Sequence, residues 1–402
     1  MDQAPERRED GAGTRPMRLA VVTMLTGKAA GPFGVPARNA AELLVEAVNG
    51  GGLPPPYATP GFAGRRAVLT VHDEAGGAEE QRTLFRRLHE EGIDAVVGYA
   101  GSTGALAVAP LSQALRQLTV VFNAGTLRLF DGERRDWMFR TASTTAGDAI
   151  GAARYAAATM PPGVRFGGIN PGDAWGTDSW AGFREAFSIL RPDAVEVGAH
   201  FFPLLSEAVE APLQALVAAG VDLVHSSNWG GDLFRLVSAV GGRSSPRLLL
   251  VSGESGLRRL APHLPDGVIV GARGAHGRLA RETPLRRWFV DAYRDRFEVA
   301  PIYPAYGMAN ALLCLKAAWD LAGAEADPAA VRSALEGLAV EGVGTRLRLA
   351  AAGGHQAIAE TAYVQVCRRT DGSFELHDLR YFPAQSVYPP DGASPAAWLA
   401  GG

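Results

Sequence analysis

Apolar residues along the chain recur at two periods, and the alternation between them predicts the architecture. Residues 18–24 form an apolar run of strand length, whereas over 34–49 the apolar positions return to one helical face. A Gly- and Pro-rich stretch at 50–64 reads as a loop. Strand 67–73, helix 77–91, strand 94–98, helix 102–116 and strand 118–122 then follow in turn. Strands alternating with helices of this length predict parallel sheets covered on both faces, since each crossover helix must lie over the sheet it spans. The pattern restarts around 137–143. It runs on through helix 146–160, strand 164–170, helix 176–190, strand 194–201, helix 206–219, strand 221–225, helix 230–240 and strands 247–251 and 267–271. Three helices then come almost consecutively, at 284–296, 303–322 and 328–338, before strands near Leu347 and at 363–367 and 374–379. A chain returning to its first lobe reads this way. The predicted fold class is α/β, with two doubly wound parallel-sheet lobes.

Length agrees with two lobes, because 402 residues exceed the roughly 100 to 200 of one ordinary domain. A hydrophobic content of 47%, 20% charged residues and a formal net charge of −3 describe a globular chain. Its 39 basic residues are interspersed among 42 acidic ones without a basic stripe, so no nucleic-acid partner is predicted. The longest apolar runs, 247–252 and 268–272, are too short to span a membrane, which takes roughly 20 residues. Cys314 and Cys367 form no CxxC pair and read as small core residues, with a disulfide left open. Residues 1–16 are polar, carry no apolar signal core and read as a loose leader, so export information was either trimmed or never present. Residues 383–402, rich in Pro, Gly and Ala, form a C-terminal tail.

Catalytic patterns are missing. Gly27 and Lys28 lack the upstream glycine of a phosphate-cradling loop, and there is no GxSxG elbow. The series Gly271, Gly274, Gly277 is spaced as GxxGxxG and reads as a hinge-like loop, not a dinucleotide fingerprint. The eight histidines are scattered without zinc-ligand spacing. No catalytic residue, metal site or cofactor is predicted, and the chain is not expected to be an enzyme.

Several short segments carry a family resemblance. They are Leu25-Thr26-Gly27 with Gly31-Pro32-Phe33-Gly34, the run from Gly101-Ser102-Thr103-Gly104 to Pro110, Phe139-Arg140-Thr141-Ala142, Asp173-Ala174-Trp175-Gly176, Tyr306-Gly307-Met308-Ala309-Asn310 and Gly353-Gly354-His355-Gln356. In this order and spacing, over about 17–381, the chain resembles the type I periplasmic binding proteins. Within them it is similar to the branched-chain amino-acid (Leu/Ile/Val) substrate-binding family of ABC transporters. The resemblance implies a three-crossing hinge, with lobe 1 at 17–142 plus 272–346 and lobe 2 at 143–271 plus 347–382. It also implies a small-molecule ligand in the cleft, membrane subunits of an ABC importer as partners, and a periplasmic or extracytoplasmic location. A cytoplasmic small-molecule sensor of the amide-binding type, with the same fold, is the alternative.

The resemblance and the local chemistry select nine candidate ligand-binding residues. Ser102 and Thr103 open a helix, where they could simply cap it or could present free N–H groups to a ligand carboxylate. Ala124 and Thr126, in Asn123-Ala124-Gly125-Thr126, would hold the ligand's polar end, although the segment could equally be a strand-to-loop turn. Trp175 and Phe33 stand where the family often has tyrosine; Trp175 could cap a side chain or stack on a cation. Asn228 and Trp229 follow strand 221–225 as a further aromatic wall. Glu254, just past a buried strand, would pair with an α-ammonium group and favour amino acids. Tyr303 and Tyr306 read as structural, and Arg273 and His276 as possible cleft residues.

Overall fold

The computed structural model describes residues 15–130, 135–206, 208–241, 246–369, 373–390, 393 and 395–401. Strand β1 (Met17–Thr23) is buried at every position except Arg18. Such burial is demanded of a strand flanked on both edges and covered on both faces. Around it β2 (Ala67–Asp73), β3 (Ala95–Gly98), β4 (Thr119–Val121) and β5 (Met138–Arg140) assemble in parallel, in the order β2-β1-β3-β4-β5. The chain then leaves for a second sheet. There β6 (Arg165–Pro171), β7 (Val195–Phe202), β8 (Leu223–Ser226), β9 (Arg247–Leu250) and β10 (Val268–Ala272) repeat the arrangement as β7-β6-β8-β9-β10.

After β10 the chain returns to the first sheet. Three helices precede β11 (Ala339–Glu341), β12 (Arg346–Ala351) and β13 (Gln356–Ala359), which extend the first sheet beyond β5. Strand β13 joins β5 in parallel at Gln356 and Arg140. A third crossing leads to β14 (Thr361–Arg368), antiparallel to β10 in the second sheet, and then to β15 (Phe374–Phe382), antiparallel to β14 at the sheet edge. The expected return to lobe 2 at 347 is therefore corrected. β12 and β13 have their backbone partners in the first sheet, so the chain changes sheets between Ala359 and Thr361.

Both sheets are covered on both faces. One face of the first sheet packs against helices Val35–Gly50, Pro284–Phe297, Tyr303–Ala322 and Pro328–Leu335, and the other against Ala78–Glu90 and Ser102–Ala114. The second sheet is covered by Glu210–Ala218, Gly230–Val240 and Leu257–Leu260 on one face, and by Thr145–Thr159 and Ala174–Leu190 on the other. Local chemistry sets the boundaries. The Thr283 hydroxyl accepts from Arg286 N–H, Pro284 fits the first turn, and Val35–Gly50 ends where Gly51 adopts φ 67°, a left-handed conformation that glycine enters freely. The helix expected at 206–219 begins later, at Glu210, because Pro212 is tolerated only in a first turn.

Of the expected leader, residues 1–14 lie outside the described residues, while Arg15 pairs with Asp94. The tail forms short helices at Ala384–Val387 and Pro395–Ala400, whose Val387 and Leu399 are buried in the second lobe. Cys314 and Cys367 are free thiols. Among the described residues no helix is long and apolar enough to cross a membrane.

Candidate functional site

Each sheet reverses its strand order once, between β1 and β3 in the first and between β6 and β8 in the second. Loops leaving the carboxyl ends of strands splay apart at such points and leave a crevice. Here the two crevices face one another across a cavity of about 1410 Å³. The first lobe lines it with Phe33 after β1, Ser102 after β3, and Asn123 and Gly125 after β4. The second lobe contributes Trp175 after β6, Trp229 after β8 and Glu254 after β9. Arg273, in the crossing after β10, and Tyr303, opening helix Tyr303–Ala322, complete the wall.

Of the nine sequence candidates, Phe33, Ser102, Trp175, Trp229 and Glu254 meet at this cavity, whereas Thr103, Ala124, Thr126 and Asn228 stand off its lining. Thr103 is exposed on its helix. The Ala124 and Thr126 carbonyls both accept from Arg140 Nη1, at 3.1 and 2.6 Å, and the Thr126 hydroxyl donates to Asp178 at 2.9 Å. Asn228 is buried, its Nδ2 donating to the Ile169 carbonyl at 3.2 Å. Ala124, Thr126 and Asn228 therefore stand behind the cavity wall, and Thr103 lies away from it.

Neither Ser102 nor Thr103 caps its helix. The N-cap is Gly101, and the acceptor at this helix start is the remote Glu74, whose two oxygens take Ala100 N–H at 2.6 Å and Gly101 N–H at 2.8 Å. Burial pushes the Glu74 carboxyl up to about 8 against the opposing pull of those N–H groups, so it is mostly uncharged near neutral pH.

The aromatic walls are specific in their contacts. Phe33 and Trp229, from opposite lobes, meet edge to face with ring centroids 4.3 Å apart. Nearby, Lys28 Nζ donates across the cleft to the Leu205 carbonyl at 2.8 Å. Trp175 donates Nε1–H to the Ser227 carbonyl at 2.9 Å, which holds its ring in place. The cation over that ring is Arg273, 4.0 Å from the centroid, and the same guanidinium lies 5.1 Å from the Tyr303 ring.

Arg273 is anchored from behind. Its Nε donates to Asp148 at 2.9 Å and its Nη2 to the Ser143 carbonyl at 3.2 Å, while the second Asp148 oxygen accepts from the Ser143 hydroxyl at 2.8 Å. Burial raises the Asp148 carboxyl, opposed by Arg273. Arg140 lies close enough to feel both groups. Its buried guanidinium is bound by Gln356 Oε1 and the two carbonyls, without a carboxylate of its own, and burial lowers it to about 10. The Phe139-Arg140 and His355-Gln356 motifs thus meet at the paired strands β5 and β13, where they pin the 124–126 loop.

Glu254 faces the second crossing. Its Oε1 accepts from Arg278 N–H at 2.8 Å, and its Oε2 lies 3.0 Å from His276 Nε2, whose ring also contacts Tyr303 at 4.9 Å between centroids. Gly277 adopts φ 55°, which favours glycine, and a Cβ there would fall 1.9 Å from Glu254 Oε1 and displace that carboxylate. Sequence reasoning gave Arg273 little weight, took Tyr303 as structural and did not single out Glu74, Asp148 or Arg140. The signal for Arg273 was a basic residue in the glycine-rich hinge segment.

The sequence profile of the family described as "Periplasmic binding protein" matches residues 16–372. Among curated sequences none is significantly similar. Several solved structures share the fold. A solute-binding protein of an ABC transporter from Rhodopseudomonas palustris BisB5, in complex with 3,4-dihydroxybenzoic acid, is 20% identical with a TM-score of 0.78, covering 93% of this chain and 99% of that one. A leucine-, isoleucine-, valine-, threonine- and alanine-binding protein from Brucella ovis, in a closed conformation, is 19% identical with a TM-score of 0.78, covering 94% and 97%. An amino acid ABC transporter substrate-binding protein from Pseudomonas fluorescens Pf-5 is 20% identical with a TM-score of 0.78, covering 92% and 97%.

Proposed function

This chain belongs to the periplasmic binding protein family, and from that premise we propose that it is the solute-binding component of an ABC importer. It captures an amino acid or similar small polar molecule between its lobes. The observation that carries this reading is the cavity, built from the crevices of both sheets and joined only by three crossings. A solute held there touches both lobes, so its contacts are complete only when the lobes are shut, and binding shifts the population toward the closed form. Of the sequence candidates, Phe33, Ser102, Trp175, Trp229 and Glu254 line the cavity and would be the ones to act on it. No bond is broken. The closed protein delivers the solute to membrane subunits of the importer, which sets its place of work outside the cytoplasmic membrane.

A thermal-shift screen tests the proposal, since a ligand that binds only the folded protein raises its melting temperature, by about 2.7 kcal/mol of added stability at a hundredfold excess over Kd. Amino acids, amides, aromatic acids and aliphatic carboxylates form the panel. A saturable shift with at least one of them, accompanied by compaction in solution scattering, is the expected result. The absence of any shift across the panel at millimolar concentration would sink the solute-binding role.

A further inference from the structure

We infer that the solute this cleft is built for is an aromatic carboxylate without an α-ammonium group, its carboxylate received by Arg273. The inference rests on the solute-binding reading above and narrows it to a chemical class.

The first argument is the donor left over. Arg273 has five N–H donors, and Nε and Nη2 are committed to Asp148 and the Ser143 carbonyl. Nη1 makes no hydrogen bond among the described residues, and the side chain lines the cavity. Aromatic faces at 4.0 and 5.1 Å hold the guanidinium, leaving its edge as the way to a planar carboxylate. Tyr303 Oη and Asn123 Oδ1 belong to cavity-lining residues 6% and 3% exposed, and neither atom has a hydrogen-bond partner among the described residues. Buried polar atoms without partners are costly, and a polar ligand would relieve that cost.

The second argument is charge. Asp148 pairs with Arg273, whereas Arg140 is held by Gln356 Oε1 and two backbone carbonyls, which leaves a buried positive charge behind the 124–126 loop with no paired carboxylate among the described residues. Around the whole cavity basic side chains outnumber acidic ones eight to three among the described residues. An anion gains in that field, whereas the ammonium of an amino acid gains nothing and must be desolvated.

The third argument is the state of Glu254, the acid that would have to receive an ammonium. One oxygen accepts from Arg278 N–H and is covered by the Gly277 backbone, and the other faces His276. It is spent on fastening the second crossing. The Phe33 and Trp229 rings line the same cavity and suit a ring in place of a charged group.

Titration calorimetry with matched pairs of probes decides the matter on the unmodified chain. Benzoate is compared with benzamide, and 3-phenylpropanoate with phenylalanine, which differs from it by the α-ammonium alone. Each carboxylate is expected to bind at least 100-fold tighter than its counterpart. Arg273→Gln, if folded by circular dichroism, is expected to lose the preference for benzoate over benzamide; if it does not fold because Asp148 is left unpaired, the matched pairs alone decide. The inference is overturned if phenylalanine or leucine binds more tightly than 3-phenylpropanoate, if benzamide equals benzoate, or if folded Arg273→Gln keeps its benzoate affinity. It is overturned as well if none of these acids binds while another solute shifts the melting temperature, an outcome that leaves the solute-binding role standing. A failure of every solute class removes both.

Discussion

Closure of the cleft makes the Phe33–Trp229 contact a measurable quantity. Phe33 follows β1 and Trp229 follows β8, so their edge-to-face pairing at 4.3 Å spans the two lobes and would be broken by opening the cleft. Such a pair is worth about 0.5 to 1.5 kcal/mol beyond the area it buries. Because the pair forms in the closed, ligand-holding state and is broken in the open one, its energy adds to the apparent affinity for solute. At about 1.4 kcal/mol per factor of ten, the ring-ring contact should be worth about 2- to 12-fold in Kd. Phe33→Ala and Trp229→Ala each remove more than this, since either ring can also touch the solute. The quantity to isolate is therefore the coupling in a double-mutant cycle, read by calorimetry with whichever solute the thermal screen identifies. A positive coupling in the stated range is expected in binding, with little coupling in the stability of the unliganded protein. Strictly additive losses in Kd would mean that the rings do not meet in the bound form, and this account of closure would then be wrong.

Three further outcomes follow from buried ionisable groups. His225 lies in the second-lobe core, stacked on Phe183 at 4.6 Å with neither ring nitrogen partnered, and burial lowers it to about 3. Below its ordinary value of about 6.5 the unfolded chain takes up a proton that the folded one refuses, so stability falls as pH drops from about 6.5 toward 3, by about 2 kcal/mol at pH 5. His225→Leu should remove that slope in urea titrations at pH 7.5 and 5, and identical slopes would refute it. Glu74 has the opposite sign: with its carboxyl raised to about 8, stability declines as pH rises from about 4.5 through 8. Glu74→Gln should flatten that decline, which paired melts at pH 5 and 8 would detect. Glu254→Gln should lower the melting temperature by loosening the crossing it fastens, yet change benzoate affinity less than threefold in calorimetry. A loss of tenfold or more would return Glu254 to the ligand.

Much of the frame was legible because it is written in local periodicity. The runs at 18–24 and 94–98 are apolar where β1 and β3 are buried, the run at 67–73 forms the half-exposed edge strand β2, and the intervening helices have the length a crossover needs. The misplaced third crossing has an equally local cause. β11, β12 and β13 are short and antiparallel to one another, with no crossover helix between them, and nothing in their residues names β5 as the neighbour. Pairing of β13 with β5 depends on contacts more than two hundred residues apart, with Arg140 binding Gln356. Of the two readings open for Ser102, the capping one fails for a similar reason. Ser at a helix start is the ordinary local cap, but here glycine occupies the cap position and the acceptor arrives from Glu74.

The chemistry of the cleft was less legible than its walls, because charge is a sum over residues that the sequence keeps apart. Trp175 could be read as an aromatic suited to a cation, and the question left open was where that cation would come from. The fold supplies it from Arg273, 98 residues on, and Asp148 holds it there from the first turn of helix Thr145–Thr159. Once that cation belongs to the protein, the charge favoured in the ligand reverses sign. An aromatic wall facing an empty cleft invites a positive group, whereas the same wall already covered by a guanidinium, with Arg140 adding charge behind it, invites a negative one. The preference for an anion therefore follows from which partner reaches Trp175 first, and that is a property of the fold.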